Sequence, residues 1–143
     1  MGNEREFDLQ TFLPYRLNQA AEAASIAFQD IYRKRHGMTR PEWRVLANLG
    51  QFGPMTATDI CNRAKIHKTK VSRAVFSLEK RRWLKRETNE HDRRVEHLSL
   101  TKEGLSTYAE LGRVALEQDL KLRGRLTEKE QALLLTMLDK LDY

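Results

Sequence analysis

A chain of 143 residues and 16.8 kDa suits one compact domain, or one small domain with a helical extension, and leaves little room for a multidomain enzyme. With 40% hydrophobic and 32% charged residues, seven Gly and three Pro, it carries enough apolar surface for a core and too little bias for wholesale disorder. The net charge of +6 is uneven: residues 63–102 hold 13 Lys or Arg against five Asp or Glu, a net of +8, so the rest sums to −2. Such clustering, with a pI near 9.6, points to a defined face for a polyanion rather than diffuse stickiness. Cys61 is the sole cysteine, which excludes an intrachain disulfide. No apolar run approaches about 18 residues, the charged start through Glu6 lacks a signal-peptide core, and Glu6 breaks a myristoylation motif at Gly2. A cytoplasmic protein with no membrane partner is expected.

In chain order, Leu13, Leu17, Ala20, Ala21, Ala24, Phe28 and Ile31 fall at spacings of three and four, predicting a long amphipathic helix that ends near Gly37. Thr39 and Pro41 start a second helix carrying Trp43, Leu46 and Ala47, which stops around Gly53 and Pro54. Thr56 and Asp59 resemble a capping box, with Asp in place of Glu or Gln, and open a short third helix. A fourth begins near His67 or Lys68, because Val71, Ala74, Val75 and Leu78 share one face. Its other positions, Lys68, Thr69, Lys70, Ser72, Arg73 and Ser77, are residue types that contact phosphates and base edges.

Between Leu84 and Leu100 the helical period is lost, and Leu98, Ser99 and Leu100 alternate as in a half-buried strand, predicting a hairpin with its tip at 89–94. Thr101 and Gly104 then open a fifth helix, and a capping box of Thr127 and Glu130 opens a sixth carrying Leu134, Met137, Leu138 and Leu141. The expected fold is mainly α with a small β-hairpin wing.

Two helices joined by a short turn, the second exposing small polar and basic residues, fit the major groove of duplex DNA. A basic hairpin just after them reaches the neighbouring minor groove; Arg94 is the candidate there, Arg93 the candidate for a phosphate, and Asp92 a support that hydrogen-bonds a nearby Arg and fixes the tip. The run Asp92, Arg93, Arg94, followed by Leu98, Ser99, Leu100, Thr101 and Gly104 and preceded by a helix ending at Trp83 and Leu84, resembles the wing signature of the MarR family of bacterial transcription regulators. Asn89 departs from the Asp that family members often carry there.

The resemblance spans nearly the whole chain. It implies a homodimeric winged helix-turn-helix repressor, with dimerisation helices at 8–36 and 104–143 flanking a DNA-binding lobe at 39–102, acting on a pseudo-palindromic operator. It also implies an effector pocket between the dimerisation helices and that lobe. Tyr15, Arg16, His36 and Trp43 are the candidates at the junction; Arg16 would pair with a carboxylate and the aromatics would stack on a ring, which points to a small aromatic acid. An intersubunit salt bridge, or simple solvation, is the competing role for Arg16. Trp43 and Trp83 are expected to pack, Cys61 to act as a small buried hydrophobe, and His67 to cap or flank the fourth helix.

No metal, cofactor or catalytic role is expected: His36, His67, His91 and His97 lack ligand spacing, and the chain has no nucleophile elbow or phosphate-cradling loop. The alternative function is a basic helical module for RNA or an acidic protein, with a small enzyme using Cys61 or a His a distant third.

Overall fold

A computed structural model describes residues 5–88, 90–92 and 94–142; Asn89 and Arg93, both singled out above, lie outside the described residues. Six helices and a hairpin run in the order α1 (Leu13–His36), α2 (Arg40–Phe52), α3 (Ala57–Ala64), α4 (Lys68–Lys80), β1 (Leu84–Thr88), β2 (Glu96–Leu100), α5 (Lys102–Arg123) and α6 (Glu128–Leu141). This is the expected mainly helical chain with a two-stranded antiparallel wing.

The boundaries follow from local chemistry. Gly37, at φ 65°, turns left-handed and donates its amide to Arg33 O at 2.8 Å, which ends α1. Thr39 caps α2 by accepting the Glu42 amide. Both halves of the capping boxes form, Thr56 with Asp59 on α3 and Thr127 with Glu130 on α6, so Asp substitutes for Glu in the first without loss of the motif. His67 caps α4, its Nδ1 accepting the Thr69 amide at 3.2 Å.

The core lies where α2, α3, α4, α5 and the wing meet. Val45, Leu46 and Leu49 of α2 pack with Ile60 of α3 and with Val71, Ala74, Val75 and Leu78 of α4, the face expected from their spacing. In the wing Leu84 pairs with Leu100, Arg86 with Leu98 and Thr88 with Glu96. Met55 adds a two-way bridge to Leu98, exchanging amide and carbonyl at 3.1 and 2.8 Å, so the hairpin is tied to the segment between α2 and α3. Cys61 is half-buried against this core, as a small apolar residue would be.

Outside that lobe the terminal helices bury little. Tyr32 is the only fully buried residue of α1, and α6 buries none, leaving Leu133, Leu134, Met137, Leu138 and Leu141 exposed. A 14-residue helix that buries no residue is marginal in water by its own propensity.

Candidate nucleic-acid interface

The turn between α3 and α4 is short because Lys65 takes a left-handed φ of 53° and its amide closes on Cys61 O. That sets α4 across α2 and α3, with its buried stripe inward. Advancing about 100° per residue, the direction opposite the stripe falls on Thr69, Arg73, Phe76 and Lys80. Thr69, Arg73 and Phe76 are exposed there, and Lys68, Lys70 and Ser72 stand exposed on the flanks. Ser77 turns part-way toward the body and is half-buried, which makes it the weakest of the six predicted contact residues. Phe76, 63% exposed among these polar neighbours, is not one of the six, although the same helical arithmetic centres it on the outward face.

In the wing, Asp92 hydrogen-bonds a neighbouring Arg, Arg94, through that residue's main chain. Its Oδ1 accepts the Arg94 amide at 3.0 Å, and its carbonyl accepts the Val95 amide at 3.1 Å. The tip is thereby folded by Asp92 itself, leaving the exposed Arg94 side chain clear of that bond.

Two further arginines tie the parts together, and neither is marked by any local sequence pattern. Arg86 of β1 donates Nε to Glu79 of α4 at 2.7 Å and Nη1 to Glu96 of β2 at 3.0 Å, fixing the wing against the end of α4; the Glu96 bond, then the Glu79 bond, raises its pKa further. Arg81, the C-cap of α4, donates to the His36 and Gly37 carbonyls at 2.6 and 3.3 Å and lies 3.4 Å from Glu42 Oε2.

The four residues predicted to form an effector pocket do not come together within one chain. Tyr15 and His36 stand near opposite ends of the continuous helix α1, about 30 Å apart at 1.5 Å per residue. The Arg16 guanidinium reaches back to Gln10 O at 3.5 Å, and His36 sits edge-on to Trp83 and 3.8 Å from Glu110. Trp43 is elsewhere, edge-on to Phe28 at 4.8 Å and stacked with Tyr32 at 6.1 Å. Those three rings, with Arg40, Arg44, Ser25 and the α5 residues Gln118 and Asp119, line a cavity of about 240 Å³ between α1, α2 and α5.

Among the described residues no group of His, Cys, Asp and Glu could hold a metal ion, and no helix is long and apolar enough to cross a membrane.

Helix-turn-helix followed at once by a two-stranded wing defines a winged helix-turn-helix protein. The profile of the MarR family matches residues 36–95, which covers α2 through the wing turn. The homoprotocatechuate degradative operon repressor of Escherichia coli is 33% identical over 96 residues, 67% of this chain and 64% of its own length. A Bacillus subtilis HTH-type transcriptional regulator, YwoH, is 31% identical over 96 residues, 66% of this chain and 69% of its own length. Among solved structures, NadR in complex with 4-hydroxyphenylacetate superposes with a TM-score of 0.80 at 26% identity, covering 99% of this chain and 97% of that one. The chain belongs to the MarR family. It spans just under two thirds of the length of the E. coli repressor.

Proposed function

We propose that this protein is a homodimeric, sequence-specific DNA-binding repressor that responds to a small aromatic acid. The observation that carries the reading is the outward face of α4, where Thr69, Arg73 and Phe76 stand exposed with Lys68, Lys70 and Ser72 beside them. Arg and Thr read base edges, Phe contacts a thymine methyl group, and Lys neutralises phosphate. Arg94 projects from a tip ordered by Asp92, as a minor-groove contact requires, with Arg93 on the adjacent phosphate.

Dimerisation accounts for the apolar termini. Leu13 and Leu17 of α1, Leu116 and Leu120 of α5 and the leucines of α6 are exposed in one chain, and a second copy would cover them. A twofold dimer presents two α4 helices to half-sites about 10 bp apart. In this arrangement residues 8–36 and 104–143 dimerise and 39–102 bind DNA.

The effector reading moves from the predicted quartet to the cavity around Trp43. Phe28, Tyr32 and Trp43 offer ring faces, and Arg44 offers a guanidinium for a carboxylate. Support comes from a matched structure holding 4-hydroxyphenylacetate and from a relative named for homoprotocatechuate degradation.

The test is selection of bound duplexes from random DNA, followed by titration of the enriched site by fluorescence anisotropy with competing duplex, single-stranded DNA and RNA. A palindromic site bound by a dimer, weakened by Arg73→Ala and released by a hydroxylated phenylacetate or benzoate, is the expected result. RNA competing as well as duplex DNA, or no enriched site, would overturn the reading.

A further inference from the structure

The positive charge beside α4 does not stop at the helix-turn-helix. A wide groove of about 800 Å³ opens between α1, the start of α2 and the turn before α4, lined by Arg33, Arg40, Arg44, Lys65, His67 and Lys70. Among the described residues Glu22 is the only acidic one in its wall. That carboxylate is already engaged, since both its oxygens accept from Arg40, whose Nη2 also donates to Gln29 at 2.7 Å. The Arg40 hydrogen bond, more than the Coulombic attraction, holds Glu22 below its ordinary pKa. Lys65 pairs with Asp142 at the end of α6. Arg33, Arg44 and Lys70 form no ion pair among the described residues, and Arg44 acts on the already engaged Glu22 only at longer range, so the groove keeps a surplus of positive charge.

We infer that, in the effector-free protein, this groove is a second DNA-contacting surface, in which Arg33 and Arg44, the latter shared with the cavity at Trp43, neutralise backbone phosphates next to the segment read by α4. The inference rests on the DNA-binding reading above. Continuity selects the partner: His67 and Lys70 belong both to the groove and to the cap and first turn of α4, so a polyanion seated against that turn meets the groove next. The wall is polar and open, without the ring faces that enclose the cavity at Trp43, which suits a hydrated phosphate backbone better than a small planar ligand. Arg33 lies on α1 and Arg44 on α2, outside α3 and α4, so they would supply affinity without reading sequence.

The test compares the wild-type protein with Arg33→Gln/Arg44→Gln, without effector, on the selected duplex and on a scrambled duplex of equal length over a range of salt. Loss of two phosphate contacts per protomer, four per dimer, makes the slope of log affinity against log salt shallower by about 3.6 and weakens binding at least about tenfold at low salt, alike for both duplexes. Arg73→Ala, by contrast, should lose more on the selected duplex than on the scrambled one.

An unchanged slope in a double variant with wild-type melting temperature and dimer mass overturns the groove proposal while leaving DNA binding by α4 intact. So does a variant that keeps the wild-type slope but loses binding of inorganic pyrophosphate, titrated in parallel by calorimetry against the wild-type protein, since the groove would then serve a small anion. A wild-type protein with no salt-dependent duplex affinity overturns the DNA-binding reading itself, and the groove proposal with it.

Discussion

Arg81 closes α4 by reaching back to Glu42, whose side chain is only 9% exposed and whose Oε2 lies 3.4 Å from the Arg81 guanidinium. The same guanidinium holds the two carbonyls that end α1 and lies 5.0 Å over the Trp83 ring. Glu42 is also bonded by the Thr39 hydroxyl at 3.3 Å, while its Oε2 has the Arg81 charge nearby without a well-aligned hydrogen bond. One side chain therefore ties the α1–α2 junction to the end of the helix proposed to read DNA. Removing one partner of such a pair strands a charge in a poorly solvated site, at a cost on the order of 3 kcal/mol. Arg81→Met should lower the urea midpoint accordingly, and Arg81→Met/Glu42→Gln should recover part of the loss. Equal midpoints for the single variant and wild type would show the pair to be inert.

Gly104 is held by a backbone approach rather than by its own conformation. A Cβ at this position would stand 2.0 Å from the Trp83 carbonyl oxygen, which also accepts the Thr101 amide at 2.9 Å. Because the obstacle is main chain, it cannot swing aside, and Gly104→Ala should cost more than about 2 kcal/mol by prying α5 off the turn after α4. Gly112, in the same helix, serves as the control, since a methyl added there would meet nothing within 4 Å. Gly112→Ala should be neutral or stabilise by up to about 1 kcal/mol through helix propensity, measured in the same denaturation series.

Where a signal is local, it was legible in the sequence. The two capping boxes, the His67 cap and the buried stripe of α4 each depend on residues within a turn or two of one another, and each formed as expected. Arg81 with Glu42 and Arg86 with Glu79 and Glu96 depend on how α4, α2 and the wing cross, which periodicity does not encode. The separation of Tyr15 from His36 within one chain is of the same kind, since it follows from the unbroken length of α1 rather than from the local residue types at either end. Arg82 illustrates a further limit: its φ of 66° is a conformation that favours Gly, yet composition signals no turn of that kind there.

The wing should separate tip geometry from charge. Arg94→Ala removes the cation and should weaken duplex binding by about 1–3 kcal/mol with a shallower salt slope and an unchanged melting temperature. Asp92→Ala removes the acceptor that folds the tip, so it should weaken binding by about 1 kcal/mol even though it deletes a negative charge. Asp92→Asn keeps an acceptor and should fall between Asp92→Ala and wild type. If Asp92→Ala instead tightens binding in the anisotropy titration, charge outweighs the tip geometry and the support role is wrong.

Acid should loosen the helix caps before it reaches the core. Asp59 is held below its ordinary 3.8 by hydrogen bonds from Thr56, backbone first and then hydroxyl, and Glu130 below its ordinary 4.5 by the same pair of bonds from Thr127. Glu22 is lowered from 4.5 chiefly by its hydrogen bond from Arg40. In each case the unfolded chain binds its proton at higher pH than the folded one. The stabilisation is therefore complete above the ordinary values and is lost as pH falls through the lower folded ones. The melting temperature should thus hold near neutrality and decline below about pH 4.5. Thr127→Ala removes the reciprocal cap, lowering stability by about 1 kcal/mol near neutral pH and flattening the acid decline. All three carboxylates are solvent-exposed, so added salt should shrink the Glu22 contribution more than that of the two caps, whose backbone hydrogen bonds are short-ranged. A melting curve against pH that is identical for wild type and Thr127→Ala would assign the acid sensitivity to other groups.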